Sequence, residues 1–345
     1  MADTATPHNV QIVLASRPHG EPTPENFRTE TVPMPSPGDG EVLLRTIYLS
    51  LDPYMRGRLS AAKSYAEPYE VDAPLGGGTV CEVLESRSDD FAPGDVVLAF
   101  STWSTHAVAS ARAIRKLDPS RAPLSTALGV LGMPGFTAYA GLAEIGQPKP
   151  GETVVVAAAT GPVGSLVGQL AQRAGARAVG IAGGPHKCAY LDDIGFDVSI
   201  DHRSPTFVQD LEAATPDGID VYFENVGGAV WDAVLRRLND FARVPVCGVV
   251  ATYNDTEAPA GPDRMPALMG AVLRKRLRIQ GFIQSDFSSH LGDFHRTVGP
   301  LVADGTLAYR EDVVQGLGAA PEAFMGMLRG ANFGKLVVQV GDLPS

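Results

Sequence analysis

The 345-residue chain reads as an α/β protein, a doubly wound parallel sheet inserted into a second, mostly-β module. Three observations predict this. Up to about residue 125, short β-like runs alternate with Pro, Gly and Asp turns; from about residue 126, strand-like and helix-like runs alternate; beyond Tyr309 come a strand, a helix and a last strand. At roughly 150 residues per domain the length suits two domains, and a 44% hydrophobic composition can fill two cores.

In chain order, the first module is built from VQIVLA (10–15), EVLLRTIYLSL (41–51), GGTVCEVLES (77–86), DVVLAF (95–100) and HAVAS (106–110), punctuated by PSPGDGE and FAPGDVV. VLGMPGFTAYAGLAEI (130–145) then predicts a helix, TVVVAAA (153–159) a buried strand and PVGSLVGQLAQRAGA (162–176) an amphipathic helix. Further strands are expected at ARAVGIAG, DVSID, DVYFENV, RVPVCGVVA and RIQGFI, with helical patterns between several of them, which calls for right-handed crossovers. PEAFMGMLRG and KLVVQV close the chain, and the last strand can return to the first module. The domains are therefore set at 1–127 plus 309–345, around 128–308.

Composition excludes several classes. Lys and Arg number 28 against 39 Asp and Glu, a net charge of −11 that opposes attraction to nucleic acid or an anionic membrane. No run of about 18 apolar residues stands out as a membrane span. The opening MADTATPHNV lacks the basic and apolar regions of a secretory signal. Cys81, Cys188 and Cys247 are too far apart for a CxxC site and are expected to be reduced thiols of a cytoplasmic protein.

The strongest local feature is GETVVVAAATGPVGSLVGQLAQRAGA (151–176), a strand that turns through Ala159-x-Gly161-x-x-Gly164 into a helix. Gly161 lets backbone approach a pyrophosphate, Gly164 lets the helix pack on the strand, and the helix start, with Pro162 and Val163, offers N–H groups to the anion. Ala159 replaces the first glycine. At the end of the next strand an acidic residue would bind the ribose 2′-hydroxyl of NAD. Gly183, Gly184, His186 and Lys187 stand there instead, which favours NADP, with Lys187 at the 2′-phosphate. His202 and Arg203, after the third strand, are candidates for the same phosphate.

Other chemistries lack their residues. Gly76-Gly77-Gly78 stands where zinc alcohol dehydrogenases have metal ligands, and Leu51-Asp52-Pro53 lacks the early Cys. His290 and His295 are five residues apart, off one helix face. None of the lysines has Tyr four positions before it, as a short-chain reductase would need. GANFGK (330–335) is too short for a P-loop and is followed by Leu336.

With these residues in view, the chain resembles the zinc-independent medium-chain dehydrogenase/reductase superfamily, in its prostaglandin reductase, leukotriene hydroxydehydrogenase and 2-alkenal reductase branch. The likeness runs through LSLDPYMRGRL (49–59), GGGTVCEV (76–83), LGMPGFTAYAGL (131–142), AATGPVGSLVGQLA (158–171), YFENVGG (222–228), GVVATYN (248–254) and GANFGKLVV (330–338). It implies a GroES-like mostly-β substrate domain, a Rossmann NADPH domain, a cleft between them, a homodimer, and reduction of an activated carbon–carbon double bond. By the same resemblance Lys187 meets the 2′-phosphate and Asn225 and Asn332 border the coenzyme. His202 replaces the family's usual Tyr, and Glu224 its usual Asp.

Hydride transfer to the β-carbon of an enone moves charge onto the carbonyl oxygen, so a hydrogen-bond donor is needed there. Tyr253, just after a strand, and Tyr54, in the other domain, are the candidates, with a coenzyme ribose hydroxyl as an alternative assistant and solvent as the final proton source. Arg56 either pairs with a substrate carboxylate or holds Asp52. Met133, Phe136 and Phe282 are candidate pocket residues, Phe287 and Tyr309 belong to a covering segment, and residues 251–266 read as a flap or a surface connection. Competing functions are a quinone reductase, a zinc-free alcohol oxidoreductase, and a catalytically silent NADPH sensor.

Overall fold

The computed structural model describes residues 8–258 and 261–344. The expectations for the opening residues 1–7, and for Pro259 and Ala260 of the 251–266 loop, lie outside these. The chain divides into two compact units, one of residues 1–128, 311–332 and 336–345, the other of 129–310 and 333–335.

The first unit begins with an antiparallel hairpin, β1 (His8–Leu14) and β2 (Phe27–Pro33). β3 (Glu41–Ser50) leads to a single helical turn, α1 (Met55–Arg58), and then β4 (Gly76–Ser86), β5 (Val96–Thr102), β6 (His106–Ser110) and β7 (Arg115–Lys116). Alternation along β3 and β4 buries Val42, Leu44, Cys81 and Val83 in one cluster and Ile47 and Val80 in another, as a pleat of period two requires.

The second unit follows with α2 (Met133–Ala140), which continues as a π-helical turn over Gly141–Gly146. Then strand and helix alternate: β8 (Thr153–Ala157), α3 (Pro162–Arg173), β9 (Arg177–Ala182), α4 (Pro185–Asp193), β10 (Val198–Asp201), α5 (Phe207–Ala214), β11 (Ile219–Phe223), α6 (Gly228–Arg237) and β12 (Leu238–Val246). α7 (Met265–Lys275), β13 (Arg278–Gly281) and α8 (Leu291–Ala303) complete it. The sheet order is β10-β9-β8-β11-β12-β13, with every pairing parallel. All five residues of β8 are buried, which is why it reads as an unbroken apolar run. This is a doubly wound sheet whose strand order reverses between β8 and β11, and in such sheets ligands bind outside the carboxyl ends at that point.

β14 (Glu311–Gln315), α9 (Ala320–Leu328) and β15 (Lys335–Gln339) end the chain. β15 pairs antiparallel with β3, with Val338 opposite Leu49. In the first unit Trp103 packs edge-on to Phe324 of α9, with ring centroids 6.0 Å apart, so the terminal segment is part of that core.

Candidate coenzyme and active site

The turn after β8 is tighter than its sequence suggests. Ala159 was expected to fill the first glycine position, yet it is fully buried and gives its N–H to the Ile181 carbonyl at 3.0 Å. The residue that bends the chain is Ala158, held at φ 50, a left-handed conformation that costs an alanine energy. The Ala158 carbonyl accepts the Gly161 N–H at 3.1 Å and closes the turn. A Cβ at Gly164 would lie 2.5 Å from the Ala158 oxygen and 2.7 Å from the Ala159 Cα, so only glycine fits there. Gly161 caps α3, and Pro162 occupies its first position, where the missing N–H costs nothing. Val163 is partly buried on the same first turn.

A second cradle forms after β9. Gly184, at φ 93, caps α4 and donates its N–H to Asp201 Oδ1 at 2.8 Å, while the Arg203 N–H donates to the same oxygen at 2.9 Å. One carboxylate thus pins two loops together. A Cβ at Gly183 would stand 3.0 Å from both His202 Nε2 and Arg203 Nε, so glycine is what allows these two side chains to lie over the turn. Lys187 is in the first turn of α4, on which its N–H bonds to the Gly184 carbonyl. Desolvation, then the Arg203 charge, lower the His202 pKa, with a smaller contribution from Lys187. For Asp201, burial pulls upward, but the two N–H donors and neighbouring cations leave it below its ordinary value. The arrangement fits a dinucleotide with an extra phosphate: an open glycine turn at a helix start, then the Arg203 guanidinium and the His202 imidazole over a second glycine, with the Lys187 charge acting on His202.

The carboxyl ends of β11 and β12 hold the remaining polar groups. Asn225 donates through Nδ2 to the Ala157 carbonyl at 2.8 Å and accepts the Cys247 thiol proton at 2.7 Å. Glu224 is 2% exposed and accepts N–H groups of Val226 at 2.6 Å and Gly227 at 2.9 Å, and the Tyr222 hydroxyl at 3.0 Å. Burial raises its pKa in spite of these donors. Tyr253 follows a short helical turn at 250–252 and brings its hydroxyl within 3.4 Å of where a Gly248 Cβ would stand. Burial raises its pKa, and the Val249 N–H against its oxygen opposes that rise, so the phenol stays protonated at neutral pH. Sequence reading missed the Cys247 and Tyr222 contacts, for which no motif exists.

In the first unit Tyr54 packs against the core that holds Met55 and Tyr69, and burial, followed by the Asp52 charge, raises its pKa. Arg56 is 6% exposed and donates to the Gly20 carbonyl at 2.6 Å, which anchors the 52–58 turn. Burial lowers its pKa. In the second unit Met133 is partly exposed at the start of α2, whereas Phe136 and Phe282 are core residues. The Phe282 ring meets Phe223 edge-on at 6.2 Å, with Phe287 beside it at 5.9 Å; Phe287 and Tyr309 pack on the same core. Asn332 lies in the turn before β15, partly buried.

No zinc site fits. A Cβ at Gly77 would be 2.8 Å from Met55 Cε, and one at Gly76 would be 3.2 Å from Phe100 Cε1, so apolar side chains fill the space beside these positions. Among the described residues no group of three His, Cys, Asp or Glu could hold a metal ion.

Comparison with known proteins decides the family. Residues 10–117 match the N-terminal domain of oxidoreductases, and residues 162–298 match the zinc-binding dehydrogenase domain. The chain is 53% identical over 337 residues to the NADPH-dependent curcumin reductase of Escherichia coli, covering 97% of this chain and 98% of that protein. The chain belongs to the zinc-independent medium-chain dehydrogenase/reductase family. Prostaglandin reductase 1 of Rattus norvegicus is 40% identical over 93% of this medium-chain reductase and 95% of its own length. The 2-alkenal reductase (NADP(+)-dependent) of Nicotiana tabacum is 39% identical over 96% and 97%. The crystal structure of CurA from Vibrio vulnificus in complex with NADPH superposes with a TM-score of 0.93 at 52% identity, covering 97% of this chain and all of that one. The zinc in that domain's name concerns the match at 162–298; Gly76 and Gly77 lie outside it, in the 10–117 match, and are packed against apolar groups.

Proposed function

We propose that this medium-chain reductase, an NADPH-dependent oxidoreductase, reduces the carbon–carbon double bond of α,β-unsaturated aldehydes and ketones. When bound, NADPH supplies the hydride that adds to the β-carbon. The chain's own residues do the rest. Gly161, Gly164 and the start of α3 receive the pyrophosphate, and Lys187, His202 and Arg203 receive the 2′-phosphate, with Asn332 bordering the coenzyme. Tyr253 donates its hydroxyl proton in a hydrogen bond to the substrate carbonyl and stabilises the enolate oxygen as charge arrives. Tyr54, also kept protonated, is the assisting donor, Met133 borders the substrate, and water delivers the proton to the α-carbon. The observation that carries this reading is the Tyr253 hydroxyl, beyond the end of β12 and close to Gly248, where burial raises its pKa and keeps its proton on. The reading extends to a homodimer and, from three free thiols, to a cytoplasmic enzyme.

Coupled oxidation of NADPH with an alkenal, an enone, a quinone and a simple ketone tests it. Turnover is expected with the first two, and Tyr253→Phe should lower their kcat roughly 10²- to 10³-fold, the loss seen on removing one oxyanion donor. A preference for the quinone or ketone would replace the substrate class, tight NADPH binding without turnover would make the protein a sensor, and an unchanged kcat in Tyr253→Phe would remove that residue from the chemistry.

A further inference from the structure

Cys247 takes no part in the chemistry above, yet it stands where three strand ends meet. Its thiol donates to Asn225 Oδ1 at 2.7 Å, and Asn225 Nδ2 donates in turn to the carbonyl of Ala157, the last residue of β8. The next residue is Ala158, the strained corner at φ 50 whose carbonyl closes on the Gly161 N–H and borders Gly164. A side-chain amide has two ends of nearly equal shape, and packing alone does not choose between them. Here Nδ2 must face a carbonyl, and Oδ1 must meet a donor. The Cys247 thiol is that donor, and burial followed by the Glu224 charge pushes its pKa up to about 12, so its proton remains in place. The same segment is anchored through its backbone, with the Cys247 and Gly248 N–H groups on the Glu224 carbonyl at 3.1 Å and 3.3 Å.

We propose that Cys247 is a positioning residue for coenzyme binding: its S–H fixes the Asn225 amide, and the amide holds the Ala157–Ala158 bend in the shape that opens the cradle at Gly161 and Gly164. This rests on the NADPH reading given above. Its test is the Kd for NADPH, by calorimetry on the full chain, for the parent, Cys247→Ser, Cys247→Val, Cys247→Ala, Asn225→Ala and the Cys247→Ala/Asn225→Ala double variant. Serine keeps a donor and should bind within about twofold of the parent. Alanine and the better-filling valine should each weaken binding about five- to tenfold, the worth of one hydrogen bond, and the double variant should bind no worse than Asn225→Ala alone. Parent-like affinity in both Val and Ala variants overturns the proposal, as does a Ser variant as impaired as Ala, or losses that simply add in the double variant. A parent that does not bind NADPH overturns the coenzyme reading and this proposal together, an outcome distinct from a parent and variants that all bind equally.

Discussion

In the proposed reading, Lys187 is the side chain that carries coenzyme choice. It sits in the first turn of α4, after a glycine turn over which the His202 imidazole and the Arg203 guanidinium lie, so its charge adds to that of Arg203 and to the positive end of a helix. Charge-assisted hydrogen bonds are worth roughly twice neutral ones. Lys187→Ala is expected to raise the Kd for NADPH about 10- to 100-fold while leaving that for NADH unchanged, as measured by calorimetry with both nucleotides. Equal weakening toward both would give the residue a scaffold role instead. Lys187 stood out in the sequence because its offset from the glycine turn has a direct chemical meaning. Ala158 did not: the apolar run TVVVAAA gives no sign of which alanine turns left-handed, and that choice follows from where the Ala159 N–H finds its carbonyl on Ile181. Phe282, expected near substrate, lies edge-on to Phe223 in the core of the second unit.

At the scale of elements, the contact between α3 and the end of β8 sets the depth of the coenzyme turn. Gly164 is buried with backbone on its open side, and backbone cannot swing away as a flexible side chain can. Gly164→Ala should therefore lower unfolding stability by about 1–3 kcal/mol and weaken NADPH binding. Gly299→Ala in α8, where a Cβ meets nothing within 4 Å, should be neutral or stabilising by up to about 1 kcal/mol. Denaturant unfolding of both variants checks the contrast. The parallel strands were readable because each is a short apolar run between turn residues. β2 was missed because FRTETVP alternates charge with partly buried positions and pairs only with β1. β12 starts at Leu238, five residues before the apolar run at Arg243, because the chain passes through a left-handed Phe241 at φ 62 and the pairing with β11 shifts register. The helix expected over 130–145 is two elements, α2 and a π-helical turn, and Gly141 at the junction lies where a Cβ would be 2.7 Å from the Phe223 and Phe282 rings.

For the whole molecule, the surface of the second unit bears on the proposed dimer. Met265, Met269 and Leu273 recur every fourth residue on α7 and are 56%, 58% and 79% exposed, and β13, which carries the exposed Ile279, is the last strand of the sheet. A second copy of the chain is the occupant this reading assigns to that face. Light scattering should give twice the chain mass of 36.3 kDa, and Leu273→Asp should shift it toward the monomer without loss of the fold. A parent that scatters as a monomer would end the dimer reading. Among the described residues no helix is long and apolar enough to cross a membrane.

Composition, apolar periodicity and turn chemistry act over a few to about thirty residues, and by themselves they determined the strand and helix alternation, the glycine turn at 161–164 and the basic residue after the second strand of the doubly wound sheet. The tertiary structure alone decided which polar groups meet. Asn225 reaches Ala157 across 68 residues of chain and Cys247 across 22, and nothing local to any of the three selects those partners. The pairing arises because a parallel sheet brings the carboxyl ends of distant strands to one edge, where buried donors and acceptors must be matched or the fold bears the cost.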